Sequence, residues 1–200
     1  MSLVLVLDTE TTGLPDFKAP SDAPHQPHLV EIAALLYDGA GNLIDSFDAI
    51  IRPDGWESCP EALAAHGITH EQAMAEGIPE ADALAAFYAL HERASLRVAH
   101  NQSFDARILR IAIKRYMSDA DADAWSSQPA FCTMNTAKPI MQLPPTAAMR
   151  AKKFFGPKPP TLAEALKFFT GDDHVDAHRA RSDAEACARI YFAMQAKEAA

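Results

Sequence analysis

The sequence predicts an α/β protein with helices flanking a mixed sheet, and three observations predict it. An apolar run at residues 3–7 passes straight into Asp8-Thr9-Glu10-Thr11-Thr12-Gly13-Leu14, a buried strand meeting a turn signal. Residues 29–37 and 43–51 are apolar and are separated by Asp38-Gly39-Ala40-Gly41-Asn42, which reads as a hairpin and therefore as antiparallel pairing. Further on, short apolar runs alternate with helical patterns, the order of strands sandwiched by helices.

Taken in order, the first strand is followed by Pro15, Pro20, Pro24 and Pro27, which exclude regular helix and central strand from residues 15–28. The length of this loop marks it as functional or mobile. After the hairpin, Pro60 opens a short helix to His66 that Gly67 ends. Thr69-His70-Glu71-Gln72 has the form of a capping box and starts another. Pro79 fits the first turn of an Ala-rich helix to about Arg93. Residues 96–99 form a strand, 103–117 a helix, 119–127 a loop and 131–134 a last strand. A helix then stops before Pro144-Pro145, and a basic, proline-rich loop spans about 144–160. Thr161-Leu162-Ala163-Glu164 is a capping box for a helix to Phe169, and a last helix runs from about Arg179 to Gln195.

The 200 residues suit a single domain with a substantial core. No apolar run reaches the ~20 residues of a membrane span, and residues 3–7 are too short and lack the basic flank of a signal peptide. Cys59, Cys132 and Cys187 are unclustered and odd in number, which reads as reduced thiols of a cytoplasmic protein. A net charge of −9 argues against holding nucleic acid by bulk electrostatics alone, so a phosphate-bearing substrate needs a metal or a local basic patch.

Asp8 and Glu10 are two apart on a strand and share a face. Two such carboxylates repel each other and invite a hard divalent cation, magnesium or manganese. The pair fits equally a strand that has ended in a solvated acidic loop. Asp105, in the first turn of the helix after the 96–99 strand, reads by itself as an ordinary N-terminal helix acid. His178 precedes Asp183 by five residues, which on an ideal helix leaves their side chains about 140° apart. They share a site only if His178 lies before the helix or in a distorted first turn.

Asp8-x-Glu10, His100-Asn101-Gln102-Ser103-Phe104-Asp105 and His178-x-x-x-x-Asp183, in this order, resemble the three exonuclease motifs of the DEDD superfamily. The histidine five residues before the last aspartate is similar to the DEDDh branch, the DnaQ-like exonucleases, to which the proofreading epsilon subunit of bacterial DNA polymerase belongs. The resemblance covers nearly the whole chain, with Ala65-His66-Gly67-Ile68-Thr69 and Phe131-Cys132-Thr133 at comparable segments. It implies an RNase H-like fold, a five-stranded mixed sheet with its second strand antiparallel. It also implies 3′–5′ hydrolysis of terminal phosphodiesters of single-stranded DNA or RNA, releasing nucleoside monophosphates.

Two divalent cations, Mg2+ or Mn2+, would be held by Asp8, Glu10, Asp105 and Asp183, with His178 as general base. By the same resemblance Thr11, Leu14, His66, Asn101 and Phe104 contact the substrate's 3′ end, although His66 fits equally a helix C-terminal histidine before Gly67. Arg150, Lys152, Lys153 and Lys158 read either as a local phosphate track or as a solvated loop. Expected partners are a single-stranded 3′ end and a DNA polymerase or repair complex; no membrane partner is expected, and a homodimer is compatible. Two other readings compete. One is a nucleic-acid-binding or polymerase-docking subunit with a vestigial site. The other is a haloacid-dehalogenase-type phosphatase, disfavoured by Glu10 in place of a second aspartate and by the lack of a downstream lysine segment.

Overall fold

The computed structural model describes residues 2–198. Five strands, β1 (Val4–Thr11), β2 (Leu29–Tyr37), β3 (Leu43–Ile50), β4 (Leu96–Ala99) and β5 (Ala130–Cys132), form one sheet in the order β3-β2-β1-β4-β5. β1 pairs antiparallel with β2 and parallel with β4; β2–β3 is antiparallel and β4–β5 parallel. Of the five, the second strand alone runs against the rest, as the resemblance implies.

The helices are α1 (Pro60–His66), α2 (His70–Glu76), α3 (Glu80–His91), α4 (Gln102–Tyr116), α5 (Asp119–Ser127), α6 (Thr133–Met141), α7 (Ala147–Ala151), α8 (Leu162–Thr170) and α9 (Ala180–Glu198). Side chains alternate faces along a strand, so β1 feeds two cores. Leu5 and Leu7 pack with Leu84 and Phe87 of α3 and Ile108 and Leu109 of α4. Val4 and Val6 pack on the other side with Cys187, Ala188 and Tyr191 of α9. Among the described residues no helix is long and apolar enough to cross a membrane.

As the shared face of Asp8 and Glu10 requires, β1 runs on past the apolar residues to Thr11, with Asp8, Thr9 and Glu10 pairing with Ala33, Ile32 and Glu31. The acids therefore sit on the strand itself, with a register shift between Glu10 and Thr11. Residues 119–127, expected as a loop, are α5: Ser118 and Asp121 form a reciprocal capping box, and Ala122 and Trp125 bury against the core. The last strand ends at Cys132, where α6 begins. The basic proline-rich segment contains the short helix α7. Thr69 caps α2 through the Gln72 N–H, but Gln72 turns its amide to Glu76 rather than completing the box.

Residues 15–28 are a fastened strap rather than a mobile loop. From α4, Arg107 bonds the Ser21 hydroxyl and the carbonyls of Asp16 and Ala19, and Arg115 bonds the carbonyls of Gln26 and Pro27. Arg115 also faces Glu80, whose side chain is 3% exposed and accepts from the Leu29 N–H. Loss of Arg115 takes one cation from Glu80 but leaves it the His28 ring at 2.7 Å, the Tyr116 hydroxyl and the Leu29 N–H. Arg115→Ala is expected to lower the unfolding free energy by about 2 kcal/mol in urea titrations, the cost of hydrogen bonds made by a charged group. Arg107→Ala, which strips carbonyl and hydroxyl contacts near the surface, is expected to cost about 1 kcal/mol.

Candidate active site

The carboxyl ends of β1 and β4 meet the N-termini of α4 and α9, the edge where an open sheet of this kind places its ligands. Asp8 and Glu10 lie on the β1 face that packs against α9. Asp183 lies in the first turn of α9. His178 precedes the helix in a left-handed backbone conformation (φ 66°), and this turn removes the angular conflict of the five-residue spacing. Its N–H bonds Asp183 Oδ1 at 3.2 Å. One ligand atom each of Glu10, His178 and Asp183 lie within 4.8 Å of one another. Asp105 comes from α4, 3% exposed, and accepts a 2.9 Å hydrogen bond from the Thr9 hydroxyl.

These carboxylates are costly as a set. Burial, with Asp105, Asp183, Glu10 and Glu31 nearby, holds Asp8 well above the usual carboxylate range. Burial and the charges of Asp183 and Glu31 push Glu10 up to about 8. Burial raises Asp105 to about 7 against the lowering hydrogen bond from Thr9, and it raises Asp183 despite His174 and His178. Four hard oxygen donors that cannot all ionise unaided are the donor set a divalent cation relieves, so these residues fit such an ion.

Three supporting residues were missed in the sequence. Glu31 sits directly across from Glu10, is 6% exposed, and accepts from Arg179 Nη2 at 2.7 Å and from the Ala180 N–H at 2.9 Å, anchoring the start of α9. Its signal was a lone acid in the wholly apolar run of β2. His174 Nε2 lies 3.1 Å from Asp183 Oδ1. Neither His174 nor Thr9 carried a sequence signal of its role, because each pairing closes only in three dimensions.

Beside the carboxylates is a cavity of about 280 Å³ lined by Glu10, Thr11, Leu14, Cys59, His66 and Phe104 among others. Leu14 stands 86% exposed at its lip. The Thr11 hydroxyl donates to the Gly13 carbonyl at 2.8 Å and shapes the turn. His66 is buried. Its Nδ1 accepts the Ile68 N–H at 3.0 Å, which puts the ring proton on Nε2, and that buried atom has no partner. Burial lowers its pKa, so the ring is neutral and Nε2–H is an unmet donor. Asn101 is placed differently: it is exposed at the left-handed N-cap of α4 and does not line this cavity.

An open five-stranded sheet of this order, with carboxylates gathered at the carboxyl ends of its strands, defines an RNase H-like fold. Residues 5–191 match the exonuclease family RNase_T, and the chain belongs to that DnaQ-like family. It is similar to a DNA polymerase III PolC-type of Thermotoga maritima, 33% identical over 144 residues, 70% of this chain and 9% of that protein. Its fold matches E. coli exonuclease I in complex with a dA16 oligonucleotide, with a TM-score of 0.78 and 20% identity over 100% of this chain and 42% of that one. A dT13 complex of the same enzyme gives 0.75 and 24%, covering 98% and 41%. The chain thus spans less than half the length of these proteins. Membership in an exonuclease family sets the phosphatase reading aside.

The raised carboxyl groups carry a sign. Their native state holds protons that the unfolded state releases above about pH 4.5, so the metal-free fold loses stability as pH rises towards about 8, the folded value of Glu10. In EDTA the Tm is expected to fall between pH 5 and 8. Mn2+ is expected to raise it more at pH 8 than at pH 5, and Asp8→Asn to flatten the metal-free trend. A scanning fluorimetry series giving a flat Tm in EDTA contradicts this electrostatic picture.

Proposed function

We propose that the chain is a metal-dependent 3′–5′ exonuclease of the DEDDh type acting on single-stranded nucleic acid and releasing nucleoside 5′-monophosphates. The observation that carries this reading is the gathering of Glu10, Asp183 and His178 beside the buried Asp8 and Asp105. Asp8, Glu10, Asp105 and Asp183 would hold two divalent cations. Such ions, Mg2+ or Mn2+, neutralise the carboxylates, stabilise charge on the scissile phosphate and acidify the attacking water.

The chain's own residues do the rest. His178 takes the proton from water as its oxygen bonds to phosphorus and the bond to the 3′ oxygen of the preceding nucleotide breaks. The left-handed turn and the Asp183 contact fix where that imidazole starts. Thr11 and the adjoining backbone hold the terminal 3′ hydroxyl, while Leu14 and Phe104 pack on bases without reading their identity. His66 Nε2 supplies an acceptor-seeking donor to the last nucleotide, which explains why a buried N–H is left unmet. Asn101, exposed at the N-cap of α4, would be a further contact for the strand. Partnership with a polymerase belongs to the same proposal, supported by the polymerase relative.

With 5′-labelled DNA and RNA strands of matched sequence and Mg2+ or Mn2+, Asp8→Ala is expected to abolish 3′ trimming, a loss above about a thousandfold. Unchanged trimming would falsify the catalytic assignment. His178→Ala is expected to lower kcat by about 10²- to 10⁴-fold. His66→Ala is expected to raise KM more than it lowers kcat.

A further inference from the structure

All 27 acidic residues lie outside residues 124–163, a stretch that carries Lys138, Arg150, Lys152, Lys153 and Lys158. Residues 151–156 within it are exposed without a break, and the adjacent Phe154 and Phe155 are 64% and 72% exposed. Two neighbouring rings left in water on an ordered turn are an unused apolar surface, and apolar surface of this kind marks binding sites. The turn is ordered. Phe154 N–H bonds the Met149 carbonyl at 2.9 Å, Lys153 N–H bonds the Arg150 carbonyl at 2.9 Å, and Lys153 adopts φ 61°.

The charges beside the rings are free to act. Lys158 is already paired with Glu164, and its N–H bonds the Leu143 carbonyl at 3.0 Å to close the segment's base. Arg150 donates to the Pro145 carbonyl, which leaves its charge uncompensated. Lys152 and Lys153 have no acidic partner among the described residues. The segment's far end adjoins the candidate site: His100 Nε2 donates to the Pro160 carbonyl at 3.1 Å. His100 immediately precedes Asn101, the N-cap of the helix bearing Phe104 and Asp105.

We propose that residues 150–155 form a second docking surface for single-stranded nucleic acid, gripping nucleotides upstream of the 3′ end. Phe154 and Phe155 stack on bases, and Arg150, Lys152 and Lys153 bind phosphates. This rests on the exonuclease reading above. Charge selects the occupant: a polyanion with flat apolar faces matches a basic, paired-aromatic turn, and an acidic chain needs local positive charge to hold one.

The full chain and two double variants, Phe154→Ala with Phe155→Ala and Lys152→Ala with Lys153→Ala, test it on a 5′-labelled dinucleotide and a 20-nucleotide oligothymidylate. Each double variant is expected to raise KM for the long strand about tenfold, with kcat and the dinucleotide kinetics unmoved. In EDTA, anisotropy with the long strand is expected to show weaker binding by both variants. The lysine variant's salt dependence becomes shallower by about 0.7 in slope per lysine. Unchanged KM and salt slope, or an equal rise on the dinucleotide, overturns the surface while leaving the exonuclease reading standing. Wild type that trims nothing, yet loses binding in EDTA on substitution, overturns the exonuclease reading and keeps the surface. Pelleting with phosphatidylserine vesicles that the variants abolish, with strand binding intact, assigns the turn to a membrane and overturns the proposal.

Discussion

Repulsion among Asp8, Glu10, Asp105 and Asp183 is the constraint around which the molecule is built. Each sits where water is scarce, and burial is the largest cause of every one of their raised pKa values. A fold can tolerate such a cluster only if its scaffold is rigid enough to prevent the acids from swinging out to solvent. β1 provides that scaffold: it is the middle strand, paired on both sides, with an apolar core on each face. Thr9 ties Asp105 to it from one face, and Glu31 ties α9 to its neighbour β2 through Arg179 and the Ala180 N–H. Without a compensating cation the cluster opposes folding.

The cavity beside the cluster is mixed in character: Leu14, Phe104 and Cys59 give it apolar wall, Glu10 and Glu61 give it charge, and His66 Nε2 is a buried donor without a partner. The strap of residues 15–28, fastened to α4 by Arg107 and Arg115, fixes the far side of the Thr12-Gly13-Leu14 turn, and Thr12 itself bonds the His28 N–H and carbonyl across it.

Most of the sheet was legible because its signals are local. Short continuous apolar runs marked β1 and β2, the Asp38–Asn42 turn marked the hairpin, and Thr161 with Glu164 marked α8. The five residues of the three motifs were legible because each motif is contiguous. α5 was misread since its sequence alternates Asp and Ala with no apolar stripe, and its helix rests on the Ser118–Asp121 cap and on burying Ala122 and Trp125. Glu31, His174 and the orphaned His66 atom were illegible for a different reason. Their meaning lies in partners between 2 and 149 residues away that only the assembled fold brings together or, for His66 Nε2, fails to provide.

The central claim is that the fold holds carboxyl groups protonated at neutral pH until divalent cations displace the protons. Calorimetric titration of Mn2+ into the metal-free chain at pH 6.5, repeated in buffers of different ionisation enthalpy, counts those protons directly. Release of at least about one proton per chain, diminished in Asp8→Asn, is the predicted result, since burial and the neighbouring acids push Glu10 up to about 8 and Asp8 well above its usual range. Binding without proton release, or release untouched by Asp8→Asn, contradicts it.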